Sequence, residues 1–183
     1  MKFPSSPAPE LFRPPVQLST PIQFRLATKA DLDGLHATCF PTEPAQAFAA
    51  RFDSALRLQA AGRLLHVLAL HGEPPLPVAS GQLISYTDTV AEIADLVVAG
   101  SMRGQGVGTA LLRVLGALAA AAGAERLELA ARVDNERALA LYRRLGFRAS
   151  RLLRFPSGER AVLLARAPWS GAAEEEFDGS NPV

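Results

Sequence analysis

Three groups in this 183-residue chain have residue types and spacing suited to chemistry: a glycine-rich run at 103–109, a tyrosine at 142, and carboxylates at 92 and 95. The run reads Arg103, Gly104, Gln105, Gly106, Val107, Gly108 and Thr109, and it separates an apolar, β-branched stretch from one with helical spacing. The first N–H groups of a helix lack acceptors within it, so such a turn aims several donors at one point. Glycine admits phosphate oxygens close to the backbone, the helix dipole adds partial positive charge, and Arg103 adds a full one. A pyrophosphate is the guest this suits. Two other nucleotide patterns are disfavoured. A dinucleotide fingerprint needs a third glycine where Thr109 stands, and a P-loop needs a lysine between Gly108 and Thr109. A plain glycine-rich connection would have the same composition.

The elements that must position these groups follow from periodicity and turn signals. Residues 1–21 contain six prolines and no apolar period, which predicts a disordered leader. A short strand is predicted at 22–27, then a helix from its N-cap Thr28 to Cys39, and a second helix at 47–61 stopped by Gly62. Strands at 63–70 and 78–86 flank a turn at 71–77 rich in Gly and Pro. A third strand at 91–99 leads into the glycine run. The helix after the run, ending at Gly123, is apolar nearly all round and is therefore expected to be buried. A strand at 126–131, a helix at 135–145 ended by Gly146, and strands at 147–155 and 161–166 complete the order. The fold class predicted is α/β of the α+β type, a mixed and mostly antiparallel sheet flanked by helices. One domain spans 22–167, and residues 168–183 form an acidic, flexible tail.

On two motifs the chain resembles the GNAT superfamily of N-acetyltransferases. Arg103, Gly106 and Gly108 fit its pattern Gln/Arg-x-x-Gly-x-Gly/Ala, after the strand that carries Leu96, Val97 and Val98. Asn135, Ala138, Leu141, Tyr142, Gly146 and Phe147 fit its later pattern Asn-x-x-Ala-x-x-Leu-Tyr-x-x-x-Gly-Phe. The resemblance covers about residues 22–166. Gly100 stands where proline is frequent, and Met102 where an aromatic is common. The resemblance implies a sheet whose central strands splay apart around acetyl-CoA. The backbone at Leu96, Val97 and Val98 would pair with the pantetheine arm. The turn from Arg103 through Gly104, Gln105, Gly106, Val107 and Gly108 to Thr109 would hold the pyrophosphate, with Asn135, Ala138 and Tyr142 also against the cofactor.

Acetyl transfer needs a neutral attacking amine, a stabilised oxyanion and a proton for the departing thiolate. The resemblance gives the last task to Tyr142, whereas its spacing with Ala138, Leu141 and Leu145 also fits a core aromatic with its hydroxyl tied down. It gives the base role to Glu92, acting directly or through water. Glu92 otherwise reads as a solvated strand-end carboxylate. Asp95 competes with it, although strand alternation puts the two on opposite faces unless a bulge intervenes. Asn135 also fits a helix N-cap.

Composition narrows the setting. Nineteen basic against eighteen acidic residues give a net charge of +1, which favours neither nucleic acid nor an anionic membrane as partner. The single cysteine, Cys39, allows no internal disulfide, and no spacing of ligands implies a metal, so a cytoplasmic protein is expected. The partners implied are acetyl-CoA and an amine acceptor, with a homodimer allowed. The function expected is direct acetylation of an amine on a small molecule or on a peptide or protein. The alternative is a non-catalytic CoA-binding sensor or interaction module.

Overall fold

The protein is represented by a computed structural model that describes residues 1–14, 16 and 18–169. Strand β2, Leu64–His71, shows why the architecture is layered: every residue from Leu64 to Leu70 is buried, so helices must cover both of its faces. Its neighbours Val67 and Ala69 enter one core, and Leu68 between them enters a second. The second core lies under helices α1 (Leu32–Cys39) and α2 (Ala45–Ala60), which contribute Leu35, Phe48 and Phe52. The first lies under α3 (Val107–Ala121) and α4 (Glu136–Arg144).

Among the described residues seven strands form one sheet. With β1 (Gln23–Leu26), β3 (Leu76–Ser85), β4 (Val90–Val98), β5 (Arg126–Arg132), β6 (Arg148–Arg154) and β7 (Arg160–Arg166), the order is β1-β2-β3-β4-β5-β7-β6. Every pairing is antiparallel except β4 with β5, which α3 joins as a crossover. This is the mixed, mostly antiparallel sheet flanked by helices expected from the sequence. The last strand, β6, is an edge with almost every residue exposed, and its register with β7 slips between Ala149 and Arg151. Thr28 and Asp31 form a capping box ahead of α1, and Asp31, bound to Arg25 at 2.6 and 2.7 Å, is held below the usual carboxylate range despite its burial.

The leader does not behave as predicted. Phe3 is only 4% exposed and belongs to the main core, its N–H donating to the Gly62 carbonyl at 2.8 Å. The Met1 ammonium meets Asp88 at 2.7 Å, and Ser85 Oγ donates to the Met1 carbonyl at 2.6 Å. A short 3-10 turn at Pro9–Phe12 brings Leu11 and Phe12 onto the same core, where Val16, Leu18 and Ile22 also pack. The physical reason is α3. Nine of its fifteen residues are buried, more than one face of a helix supplies, so its outer side needs a cover. The leader is that cover.

The predicted start of the tail at 168 also needs correction. Trp169 is 6% exposed, edge-on to Phe147, with the Arg166 guanidinium 3.7 Å over its ring. It fits only because position 116 in mid-helix is glycine: a Cβ there would lie 2.1 Å from the indole. The acidic residues from 170 onward lie outside the described residues.

Among the described residues three polar side chains are buried in the sheet, His66, Ser80 and Gln82, and His66 is the titratable one. His66 is 2% exposed, shares a 2.8 Å hydrogen bond between its Nε2 and Ser80 Oγ, and has no hydrogen-bond partner at Nδ1 among the described residues. Burial lowers its pKa from 6.5 to about 4. Two outcomes are expected. Between pH 6.5 and about 4 the unfolded chain binds a proton at His66 that the folded chain refuses, so stability should fall as pH drops through that window, by about 3 kcal/mol in all. Denaturant titrations of wild type and His66→Gln should show this slope in the first and lose it in the second. Phe3→Ala should cost about 3–5 kcal/mol. In calorimetry that is a drop of about 6–20 °C in Tm for a domain of this size, and an unchanged Tm would show that the leader bears no load.

Candidate functional site

The site begins where β4 loses its partner. β4 and β5 pair in parallel only from Val90 with Arg126 to Ile93 with Leu129, and beyond that β5 is bonded to β7 alone. The divergence coincides with a bulge. Ser80 faces Val97 and Gln82 faces Ala94, so Asp95 and Leu96 together oppose the single residue Gly81. Asp95 takes a left-handed φ of 49°. Its carboxylate is held by Arg51 of α2 at 2.5 Å and by Gln82 Nε2 at 3.2 Å. Glycine at 81 opposite leaves room for the side-chain ends of Leu115 and Leu96, which a Cβ there would approach to 2.9 and 3.2 Å.

The Ala99 N–H donates to the Val78 carbonyl at 2.8 Å, so strand alternation turns the backbone groups of Leu96 and Val98 away from β3 and into the gap. The gap opens into a cleft of about 740 Å³. Of the residues singled out from sequence, Leu96, Val97, Val98, Arg103, Gly104, Gly106, Val107, Gly108, Thr109, Asn135, Ala138 and Tyr142 all line it. Gln105 does not; its amide bonds the Ser101 carbonyl at 2.9 Å and accepts from Thr20 Oγ1 at 3.0 Å.

At one end of the cleft stands the start of α3. Gly104 and Gly106 have φ of 83° and 81°, and Gly106 is the N-cap, with no side-chain cap and no acidic residue in the first turn. Ala110 N–H makes the first helical bond, to the Gly106 carbonyl, which leaves Val107, Gly108 and Thr109 without acceptors inside the helix. Arg103 Nε donates to the Val98 carbonyl at 3.1 Å. Arg137 and Arg144 of α4 also line the cleft and have no hydrogen bond or ion pair among the described residues. Neither is a named position of the Asn135 to Phe147 motif. Their spacing with Leu141, four residues and then three, was the available signal that they share a helical face.

At the other end stands Tyr142. Its side chain is buried against Phe147, edge-on at 6.0 Å, yet its hydroxyl has no hydrogen-bond partner among the described residues. It borders both the cleft and a smaller cavity of about 230 Å³ between the parted strands, which Asp95 also lines. Burial raises the Tyr142 pKa, so the phenol stays protonated at neutral pH. Asn135 serves as N-cap of α4, Oδ1 accepting from Ala138 N–H at 3.1 Å, and lines both cavities.

The two carboxylates are placed differently. Glu92 lies in the paired part of β4, opposite Ile84 and Glu128, and lines neither cavity. Burial, then the charge of Glu128, raises its pKa. The bulge intervenes between the two carboxylates and puts Asp95 on the α2-facing side of the sheet, the side that Glu92 shares through its alternation with Gln82 and Ile84.

A parted parallel pair that ends at an uncapped, glycine-lined helix start is the arrangement the two motifs implied, and the family comparison agrees. The model of the Acetyltransferase (GNAT) family matches residues 29–147. The chain belongs to the GNAT acetyltransferase family. Membership makes it an acetyltransferase by class, in a family that uses acetyl-CoA. The fold is similar to the ribosomal-protein-S18-alanine N-acetyltransferase from Escherichia coli, with 21% identity, a TM-score of 0.64, and 86% of this chain and 100% of that one covered. It is also similar to the spermidine N-acetyltransferase from Vibrio cholerae in complex with CoA and spermine, at 16% identity, TM-score 0.67, and coverage of 80% and 95%. An IAA acetyltransferase from Bacillus cereus aligns at 20% identity and TM-score 0.63, covering 80% and 99%. No curated protein sequence matches the GNAT chain at a significant level.

Gly108 offers a test of the cleft. A Cβ there would meet Val98 at 3.4 Å and Leu141 at 3.8 Å, ordinary contact distances, and its φ is not left-handed. Gly108→Val should therefore fold normally while its branches fill the space between the two walls. Calorimetric titration should show acetyl-CoA affinity at least tenfold weaker than wild type, with an unchanged Tm; equal affinity would place the cofactor elsewhere.

Proposed function

We propose that this chain transfers the acetyl group of acetyl-CoA directly to the amine of a small molecule or of a peptide or protein. One observation carries the reading: the gap between β4 and β5 runs from an anion-ready helix start to an unbonded tyrosine hydroxyl, with an open strand edge between them. A pyrophosphate on the N–H groups of Val107, Gly108 and Thr109 sets one end of the cofactor. The pantetheine amides then lie along Leu96, Val97 and Val98, as an added strand would. The thioester arrives beside Tyr142. Arg103, Arg137 and Arg144 supply the positive charge that the phosphates need.

The chemistry follows from those placements. The amine nitrogen attacks the thioester carbon, the C–S bond breaks as the tetrahedral intermediate collapses, and Tyr142 gives its proton to the departing thiolate. The amine loses its proton through water to Glu92, whose pKa is raised by burial and by the charge of Glu128 and which lies back from the cavities. Asp95, already bound by Arg51 and Gln82, is suited to orienting the amine at the smaller cavity. A half-buried lone Cys39 fits a reducing cytoplasm.

The neighbours named above include a ribosomal-protein-alanine acetyltransferase and a spermidine acetyltransferase, so a screen should offer both peptides and polyamines. Release of free thiol from acetyl-CoA on addition of an amine tests the reading; saturable CoA binding with no transfer to any amine would favour a sensor instead. With an acceptor in hand, Tyr142→Phe keeps the packing ring and removes only the donor. Turnover at saturating substrates should fall about ten- to a thousandfold, the range of general acid catalysis, with acetyl-CoA affinity little changed. Wild-type turnover, with chemistry rate-limiting, would remove the acid role.

A further inference from the structure

The turn at 103–109 contains two left-handed glycines and no capping side chain, so little within it fixes the direction of its N–H groups. The leader supplies what the turn lacks. On the side away from the cleft, Thr20 Oγ1 donates to Gln105 Oε1 at 3.0 Å, while Gln105 Nε2 ties the same side chain to the Ser101 carbonyl. Leu18 Cδ2 lies 3.2 Å from the point that a Cβ on Gly106 would occupy, and its side chain packs on the main core. The segment is secured at both ends. Behind it Met1 and Phe3 are bound near Asp88 and Gly62, and ahead of it His71 Nδ1 donates to the Pro21 carbonyl at 3.0 Å, just before β1.

We propose that Leu18 and Thr20 are positioning residues for the anion-binding turn. They hold Gln105 and Gly106 from outside, so that the first N–H groups of α3 are already aligned when the pyrophosphate arrives. Gln105 is the one residue of the turn that misses the cleft, and this is the task its side chain performs instead. A turn ordered in advance loses less conformational freedom on binding, which raises affinity without any contact to the ligand. The inference rests on the reading that acetyl-CoA seats its pyrophosphate here.

The test is calorimetric titration of acetyl-CoA into wild type, Thr20→Val, Thr20→Ser and Leu18→Ala, each shown by circular dichroism to be fully folded at the titration temperature. One neutral hydrogen bond corresponds to about a three- to tenfold effect, so Thr20→Val and Leu18→Ala should each raise Kd by that factor, while Thr20→Ser keeps wild-type affinity. S-acetylpantetheine, which lacks the pyrophosphate, should bind wild type and variants equally when followed by ligand-observed NMR. Unchanged acetyl-CoA affinity in both variants would overturn the positioning role alone. An equal loss for both ligands would also overturn it, since the effect would then be general to the fold. Wild-type protein that fails to bind acetyl-CoA at all would overturn the functional reading beneath it, and this inference with it.

Discussion

Everything at the site depends on β4 being paired on both edges for four residues and on one edge thereafter. A strand inside a sheet does not give up a partner without a local cause, and here the cause is one surplus residue at the bulge. Asp95 adopts a backbone angle that most residues avoid, and two side chains hold it there. Arg51 comes from α2, stacks over the rings of Phe40 and Phe48 at 4.9 and 5.3 Å, and is paired with Glu43 as well. The helices under one face of the sheet thereby brace the strand whose divergence opens the cleft above the other.

The helix that bounds the cleft is stabilised by burial of most of its length. Outside the cleft the sheet, Trp169 and the leader all pack on α3, so its amino end is fixed in space although it carries no cap. This division of labour leaves its first N–H groups unspent. A capping serine or an acidic first turn would stabilise the helix locally and occupy the donors that a phosphate needs. Stability has been placed along the body of the helix, and its tip is kept for the ligand.

The elements with strong periodicity were legible in the sequence, and so was the cleft wall, because the glycine turn and the Asn135 to Phe147 motif are contiguous. Among the described residues the seven strands and four α-helices fall within a few residues of the expected ranges. Contacts between distant segments were not legible. Nothing in the spacing of 103–109 announces Thr20, and nothing in α2 announces that Arg51 reaches Asp95, 44 positions away. The leader failed for another reason. Its prolines forbid a regular ladder, but they do not prevent isolated side chains such as Phe3 from reaching a core, and the all-round apolar pattern of α3 was the sign that something had to cover it.

The far edge of the sheet carries a consequence for the protein in concentrated solution. Among the described residues β6 pairs on one side alone and leaves a row of backbone donors and acceptors on the other, which is the template on which unrelated chains stack. Arg148, Arg151 and Arg154 recur along it, and the slip in register beside Ala149 breaks the regular repeat that an incoming strand would have to match. A second copy approaching edge to edge meets its own charge and a mismatched ladder. The open strand that completes this sheet is thereby guarded against growing into a fibre.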